Sequence, residues 1–207
     1  MFRKGISKSA LKALGVIEAS KLGKQFYLAG GTAAAIQLGH RLSLDLDYFS
    51  RNVFSGEELI KKLEAGGVNA SKLEPAEGTL HCIIEGTKVS FLHYEYPLLQ
   101  DTKRFEQIDL ASLLDIALMK ITAIASRGLK KDFVDLYFIL QEISLQQMLK
   151  AFSEKYPIAK LDPYHYLRSL TYFDDAENDP MPLMHVDCDW EGVKAFLEKS
   201  ISKLSLV

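Results

Sequence analysis

Leu28-Ala-Gly-Gly-Thr-Ala-Ala-Ala-Ile-Gln-Leu-Gly-His-Arg-Leu-Ser-Leu-Asp-Leu-Asp-Tyr-Phe49 is the stretch from which the rest of the chain can be read. Lys24–Gly30 is an apolar strand candidate, with Phe26, Tyr27 and Leu28 ahead of two glycines. Thr32–Leu38 is alanine-rich and helix-prone, and Gly39 supplies its stop. Leu44–Phe49 alternates Leu44, Leu46 and Tyr48 against Asp45, Asp47 and Phe49, a period of two that predicts a strand. With the leucines and Tyr48 turned to a core, both carboxylates project from the other face, about 6.5–7 Å apart at Cα. Gly30 and Gly31 close a strand and open a helix, so unpaired N–H groups and the helix dipole face one point, an anion site that the missing Cβ atoms leave open to phosphate oxygens. The Thr32 hydroxyl is a further donor. Carboxylates at i and i+2 can share one or two Mg²⁺ ions, which neutralise a triphosphate and activate an attacking oxygen. Taken singly, a Gly-Gly after a strand also makes an ordinary turn, and an Asp-x-Asp also makes a solvated strand face. Their union in one strand–helix–strand unit is far more specific.

The surrounding 207 residues set bounds on that reading. At about 150 residues per domain the length allows one large domain or two small ones sharing an interface. Hydrophobic residues make up 48% and charged residues 25%, enough for a core without disulfide or metal staples. With 25 Lys+Arg against 27 Asp+Glu the net charge is −2, which excludes a wholesale basic coat for nucleic acid and leaves room for a local basic patch. Two distant cysteines, Cys82 and Cys188, indicate a reduced, cytoplasmic protein. Ile6–Leu14 is too broken by Ser7, Lys8, Ser9 and Lys12 for a signal peptide, and no apolar run approaches the roughly 20 residues of a membrane span.

Downstream, Ser55–Glu64 carries a capping-box pattern, Ser55 with Glu58, and predicts a helix. Strands are expected at Val68–Pro75, Thr79–Glu85 and Lys88–Tyr94, with Gly78 and Gly86-Thr87 as turns. From Asp109 the pattern turns helical: Leu110, Leu113, Leu114, Ala117, Leu118, Ile121, Ile124 and Ala125 form one apolar stripe, ended by Gly128. Helices are expected at Lys131–Glu142, Leu145–Lys155, Pro163–Leu170 and Asp189–Lys203, the last capped by Asp189. Tyr172–Cys188, with Pro180 and Pro182, is expected to be a long connecting loop. Strands followed by helices predict an α+β fold, divided near residue 105 into a core of residues 1–105 and a helical half of residues 106–207 packed against it.

Lys120 falls about 90° from the centre of that stripe, with Arg127 on the same shoulder. Both can overhang a cleft and reach a triphosphate, or lie on a solvated helix edge with their stems packed down. Asp132 and Asp135, three apart on one helix, repel by a few tenths of a kcal/mol and call for a cation or metal. We expect one to orient a basic residue and the other to cap the helix.

Gly30-Gly31-Thr32, Gly39-His40-Arg41, Ser43 and Asp45-Leu46-Asp47 resemble the signature of the AbiEii-type nucleotidyltransferases, toxins of type IV toxin–antitoxin and abortive-infection systems within the polymerase-β-like superfamily. The resemblance extends through Lys88-Val-Ser-Phe-Leu-His-Tyr94, Met119-Lys-Ile-Thr-Ala-Ile-Ala-Ser-Arg127 and Lys131-Asp-Phe-Val-Asp-Leu-Tyr137, and more weakly through Tyr172-Phe-Asp-Asp-Ala176, covering about residues 20–195. It implies a polymerase-β-like mixed sheet with helices. It further implies that Gly30, Gly31 and Thr32, with Arg41, Ser43, Lys120 and Arg127, bind the nucleotide, that Asp45 and Asp47 bind Mg²⁺ or Mn²⁺, and that Lys120, with Asp132 and Asp135 nearby, completes the catalytic site begun by Asp45 and Asp47. The expected activity is transfer of NMP from an NTP to an acceptor, an RNA such as tRNA, by a toxin with a cognate antitoxin. The run Arg127, Lys130 and Lys131 is a candidate contact for the RNA backbone.

One position departs from the superfamily pattern, which commonly places a third carboxylate on a later strand as general base. That strand is Lys88–His93 and the position is Ser90, which can be neither that base nor a strong Mg²⁺ ligand; Glu95, Asp132 or a metal-bound hydroxide are substitutes. The alternative function is therefore a nucleotide-binding member that acts through protein contacts. A sugar-nucleotide transferase also uses Asp-x-Asp, but the glycines fourteen to fifteen residues before Asp45 and the lack of a long α/β domain count against it. His40, His81, His93, His165 and His185 show no metal spacing, and His93 reads as a hydrogen-bonded core residue. Trp190 reads as a packing anchor.

Overall fold

The computed structural model describes residues 1–20, 22–156 and 163–204. Seven strands among them form one mixed sheet, whose order follows from short local hairpins and one central crossing. Strand β1 (Tyr27–Ala29) leads directly into helix α2 (Gly30–Leu38), which ends on Gly39 in the left-handed conformation. Strand β2 (Leu46–Ser50) returns antiparallel to β1. Strands β3 (Ala70–Ala76), β4 (Thr79–Ile84) and β5 (Thr87–His93) make a meander, and β5 pairs parallel with β2. Strands β6 (Lys103–Phe105) and β7 (Ile108–Leu110) form a hairpin on the far side of β1, giving the order β3-β4-β5-β2-β1-β7-β6. The α+β architecture expected from the sequence is the one found.

Helix α1 (Lys8–Ala19) is capped by Ser7, whose hydroxyl accepts from the Ala10 N–H, and buries Ala10, Ala13, Leu14 and Ile17 at helical spacing. Helix α3 (Gly56–Ala65) starts at the expected cap, Ser55 accepting from the Glu58 N–H. Helices α4 (Leu113–Arg127), α5 (Lys130–Glu142), α6 (Leu145–Lys155), α7 (Pro163–Ser169), α8 (Asp174–Glu177) and α9 (Trp190–Ser202) build the helical half. Asp189 caps α9 through the Gly192 N–H, and Gly128 ends α4 in the left-handed region. No helix of the described residues is long and apolar enough to cross a membrane.

The core lies on the sheet face that carries Leu46 and Tyr48 on β2, Val89 and Phe91 on β5, and Leu80, Cys82 and Ile84 on β4. Tyr48 stacks on Phe91 with ring centroids 5.1 Å apart. Asp47, Ser90 and His81 therefore alternate onto the opposite face. In the helical half, Trp190 packs edge-on to Phe133 and Phe173 and gives its indole N–H to Glu177, the anchoring role expected of it.

Several elements differ from the sequence reading. Strand β1 is shorter than Lys24–Gly30, because Leu22–Gln25 is a 3₁₀ turn and Gly30 already belongs to α2. Leu44 is 53% exposed and precedes β2, so the buried alternation runs Leu46, Tyr48, Ser50 instead. The β6–β7 hairpin and α1 were not anticipated; the hairpin turns at Glu106, which takes φ 53° without a glycine, and Leu110 is a strand residue, since α4 starts only after its cap at Ser112. His93 is half-buried at the end of β5 and not a core residue. The sheet continues through Leu110, beyond residue 105, before the helical half begins.

Candidate active site

Strand β2, the start of α2, helix α4, the start of α5 and the segment 179–183 surround a cavity of about 780 Å³. Gly30, Gly31, Arg41, Ser43, Asp45, Asp47, Lys120, Arg127 and Asp132 all line it. Residues up to 102 positions apart thus converge, as the sequence reading expects. Thr32 stands behind this wall: it is buried, and its hydroxyl is shared with Ser43 Oγ and the Asp45 carbonyl. One hydroxyl holds one proton, so Thr32 ties α2 to the Asp45 segment and is not a free donor to the cavity.

The two glycines are required by packing. Gly30 takes φ +65°, and a Cβ there would stand 3.1 Å from Asp47 Oδ2. At Gly31 a Cβ would lie 2.2 Å from Arg41 Nη2, so the guanidinium fills the space a side chain would take.

Asp132 and Asp135 organise the cations. Asp135, fully buried, accepts from Arg41 Nε at 2.6 Å and Nη2 at 2.8 Å, a bidentate pair, and meets His40 Nε2 at 2.8 Å. Lys120 Nζ bridges the two aspartates, 2.7 Å from Asp132 Oδ1 and 2.6 Å from Asp135 Oδ2. Arg127, half-exposed at the rim, reaches Asp132 Oδ2 at 3.0 Å. Neither aspartate caps α5, whose N-cap is Leu129 with no side-chain bond; both are engaged by cations, contrary to the division of labour expected. Lys120 is 4% exposed, which excludes the solvated-edge alternative. Burial alone would raise the Asp135 carboxyl, but Lys120 and Arg41 hold it well below the usual carboxylate range. Asp132 is lowered in the same way, against its burial, by Lys120 and Arg127. A carboxylate so held is a weak proton acceptor, and Asp132 suits the orientation of Lys120 and Arg127 better than general-base duty.

Asp45 and Asp47 are half-buried, on the cavity wall. Burial pushes Asp47 up, with Lys120 pulling it down and Asp45 adding to the rise. Four carboxylates on the wall (Asp45, Asp47, Asp132, Asp179), with Asp135 behind it, face four cations (Arg41, Lys120, Arg127, Lys131), so the wall has no surplus positive charge for a triphosphate. Among the described residues no group of three or more His, Cys, Asp or Glu forms a metal cage. Two carboxylates beside an open cavity fit Mg²⁺, which takes one or two protein carboxylates and completes its octahedron with water and substrate phosphates.

Ser90 on β5 is in register with Asp47 on β2, so the position read as lacking a carboxylate is indeed beside the Asp-x-Asp pair. Lys130 is not a surface cation: it is buried, its Nζ donating to Glu177 O at 3.0 Å and Asp179 O at 2.5 Å. Only Arg127 and Lys131 of the basic run are exposed, and Lys131 lines the cavity. The apolar wall of Phe49, Leu92, Tyr94 and Met119, and the segment 179–183, were missed. That segment is fastened by Leu42 N–H to Leu183 O and His185 N–H to His40 O, each 2.8 Å. Its two prolines signal a loop but not where the loop lands.

The architecture is that of the nucleotidyltransferase fold. It is shared by MenT4, a nucleotidyltransferase toxin of Mycobacterium tuberculosis, with TM-score 0.59 and 16% identity over 96% of this chain and 84% of that one. JHP933 of Helicobacter pylori shares it with TM-score 0.53 and 18% identity over 97% and 95%. In sequence, the uncharacterized protein aq_aa25 of Aquifex aeolicus is 33% identical over 207 positions, 96% of this chain and 97% of its own length. Residues 93–203 match the model of the AbiEii nucleotidyl transferase toxin of type IV toxin–antitoxin systems. The chain belongs to that family. The matched stretch contains Lys120, Arg127, Asp132 and Asp135; the glycines and the Asp45–Asp47 pair lie before it.

Proposed function

We propose that the chain is a Mg²⁺-dependent nucleotidyltransferase that moves NMP from an NTP onto an RNA hydroxyl, tRNA being the acceptor class favoured, and that it acts as a toxin restrained by a cognate antitoxin in the cytoplasm. The observation that carries this reading is the convergence of Asp45 and Asp47 with the N-terminus of α2 and Lys120 on one cavity. Asp45 and Asp47 hold the metal, Mg²⁺ or Mn²⁺, which when bound neutralises triphosphate charge and polarises the α-phosphate. The N–H groups at Gly30 and Gly31 face the phosphates, with the helix dipole behind them. Lys120, fixed by Asp132 and Asp135, and Arg41, fixed by Asp135, present charge that needs no rearrangement as the α-phosphorus is attacked. The acceptor oxygen bonds to that phosphorus while the bond to the pyrophosphate oxygen breaks, and the hydroxyl proton leaves to solvent in the cavity. Arg127 and Lys131 at the rim meet the departing pyrophosphate or the acceptor backbone.

The test is incubation with each α-labelled NTP, Mg²⁺ and total cellular RNA, resolved on a gel. Label on an RNA band, lost in Asp45→Asn while the fold survives, is the expected result. Label retained by Asp45→Asn refutes the metal role. One observation favours a second reading, a nucleotide-binding protein without turnover: Ser90 offers no carboxylate beside Asp47. It predicts Mg²⁺-dependent NTP binding with no labelled product and no pyrophosphate release for any acceptor.

A further inference from the structure

Ser90 and His81 stand beside the cavity wall and have no part in the chemistry above. They form a row with Asp47 across three strands. Parallel pairing of β2 with β5 sets Asp47 opposite Ser90, and antiparallel pairing of β5 with β4 sets Ser90 opposite His81. Residues directly opposite one another share a sheet face, so the three side chains stand side by side. Ser90 is 4% exposed. Its hydroxyl stands directly across from Asp47, whose carboxyl it helps hold down, and meets His81 Nδ1 at 3.1 Å on the other side.

The direction of these bonds follows from counting protons. An ionised carboxylate only accepts, and the Ser90 hydroxyl has a single hydrogen. Given to Asp47, that hydrogen leaves Ser90 Oγ as an acceptor toward His81, so Nδ1 must carry a hydrogen of its own. The chain runs from the His81 N–H to the Ser90 O–H to Asp47, each donor polarising the next.

We propose that His81, acting through Ser90, is a positioning residue for Asp47: it locks the Ser90 hydroxyl onto that carboxylate and so holds one of the two metal-binding side chains in its working orientation. The inference rests on Asp45 and Asp47 being the metal ligands. It gives Ser90 a use of its own at the strand position where the superfamily commonly carries a third carboxylate. Carboxylates that ligate metals are themselves hydrogen-bonded, and loss of such a partner costs about 10–100-fold in metal affinity or activity. Asp45 is steadied differently, through its own carbonyl and Thr32, which leaves Ser90 and His81 as the support on the Asp47 side.

The experiment is a titration of the full, nucleotide-free chain with Mn²⁺ alone, free metal being read by its paramagnetic resonance signal, with circular dichroism and a urea midpoint to follow the fold. Ser90→Ala and His81→Leu should each weaken Mn²⁺ binding by about tenfold. The double variant should be no weaker than Ser90→Ala, because both changes cut one chain. His81→Asn, whose amide nitrogen takes the place of Nδ1, should bind like the unmutated protein. If Asp47→Asn loses Mn²⁺ while His81→Leu binds normally, the positioning role is overturned and the metal site stands. Equal weakening by His81→Asn and His81→Leu also overturns it, since packing and not the Nδ1 donor would then matter. Mn²⁺ binding unaffected by Asp47→Asn removes the metal reading and this inference together.

Discussion

Asp135→Asn tests the electrostatic centre of the site without changing its shape. The substitution keeps the volume and removes a charge that is fully buried and bonded to Arg41 twice, to His40 once and to Lys120 across 2.6 Å. Arg41 and Lys120 are each 4% exposed, so neither can turn to water when its partner is neutralised. Lys120 keeps Asp132, whereas the Arg41 fork loses its charged partner and one of its two acceptors there, keeping at most the amide oxygen and its bond to the Leu42 carbonyl. Breaking a buried pair from one side costs about 3–5 kcal/mol. For a domain of this size, with about 2–4 °C per kcal/mol, the melting temperature should drop by about 6–20 °C.

The pH dependence supplies an independent sign. The folded Asp135 carboxyl lies well below its ordinary value of 3.8, so the unfolded chain binds the proton more tightly than the folded one. Its contribution is therefore fully present above the unfolded value and is lost as pH falls through about 5 toward the folded value. Urea unfolding from pH 6 to pH 3 should show the unmutated protein losing stability more steeply than Asp135→Asn. Parallel curves, or a loss under about 1 kcal/mol at pH 7, would refute the view that Asp135 holds the cations in place.

Gly31→Ala should cost about 1–3 kcal/mol by overpacking, although Gly to Ala inside a helix ordinarily helps, because the new Cβ would stand 2.2 Å from Arg41 Nη2. Equilibrium unfolding measures it, the cost should be less than additive with Asp135→Asn, and unchanged stability would mean that the guanidinium moves aside freely. Lys131→Ala, at an exposed position on the cavity wall, should leave stability within about 0.5 kcal/mol. It should raise KM for the NTP about fivefold, the worth of roughly 1 kcal/mol from one solvated charge contact; steady-state kinetics decide, and an unchanged KM removes Lys131 from the phosphate path.

What could be read in the sequence was what is local. Gly39 ends α2, Ser55 and Asp189 cap their helices and Gly128 stops α4 because each acts on neighbours within one turn. Asp47 faces away from the core as the strand period predicts, while Asp45, one residue before β2, reaches the same cavity from the chain ahead of the strand. Leu44 shows where this logic fails: the alternation in the sequence begins there, but the chain before β2 is held by bridges of Ser43 to Ile6 and of Arg41 to Met184, and Leu44 is left outside. The β6–β7 hairpin was missed because its turn at Glu106 uses a non-glycine at positive φ. Lys130 looked like part of a basic surface since nothing nearby in sequence reveals the carbonyls of Glu177 and Asp179 that bury it.

The placement of charge also explains why the site had to be assembled from both halves of the chain. Arg41 comes from the segment that follows α2, Lys120 from α4, and Asp135 from α5; the single carboxylate of Asp135 bonds the charges of the other two at once. The parallel pairing of β1 with β7 fixes the start of α2 against the strand that leads into α4, through Leu28 and Leu110. Neutralising Arg41 and Lys120 internally lets them be buried at the cavity wall. It also leaves Asp45 and Asp47 on a cavity wall with no excess positive charge to meet the triphosphate of the proposed reaction. Two carboxylates and a polyphosphate repel unless a divalent cation lies between them, so on the proposed function nucleotide affinity should depend on metal, and nucleotide titration with and without Mg²⁺ checks it.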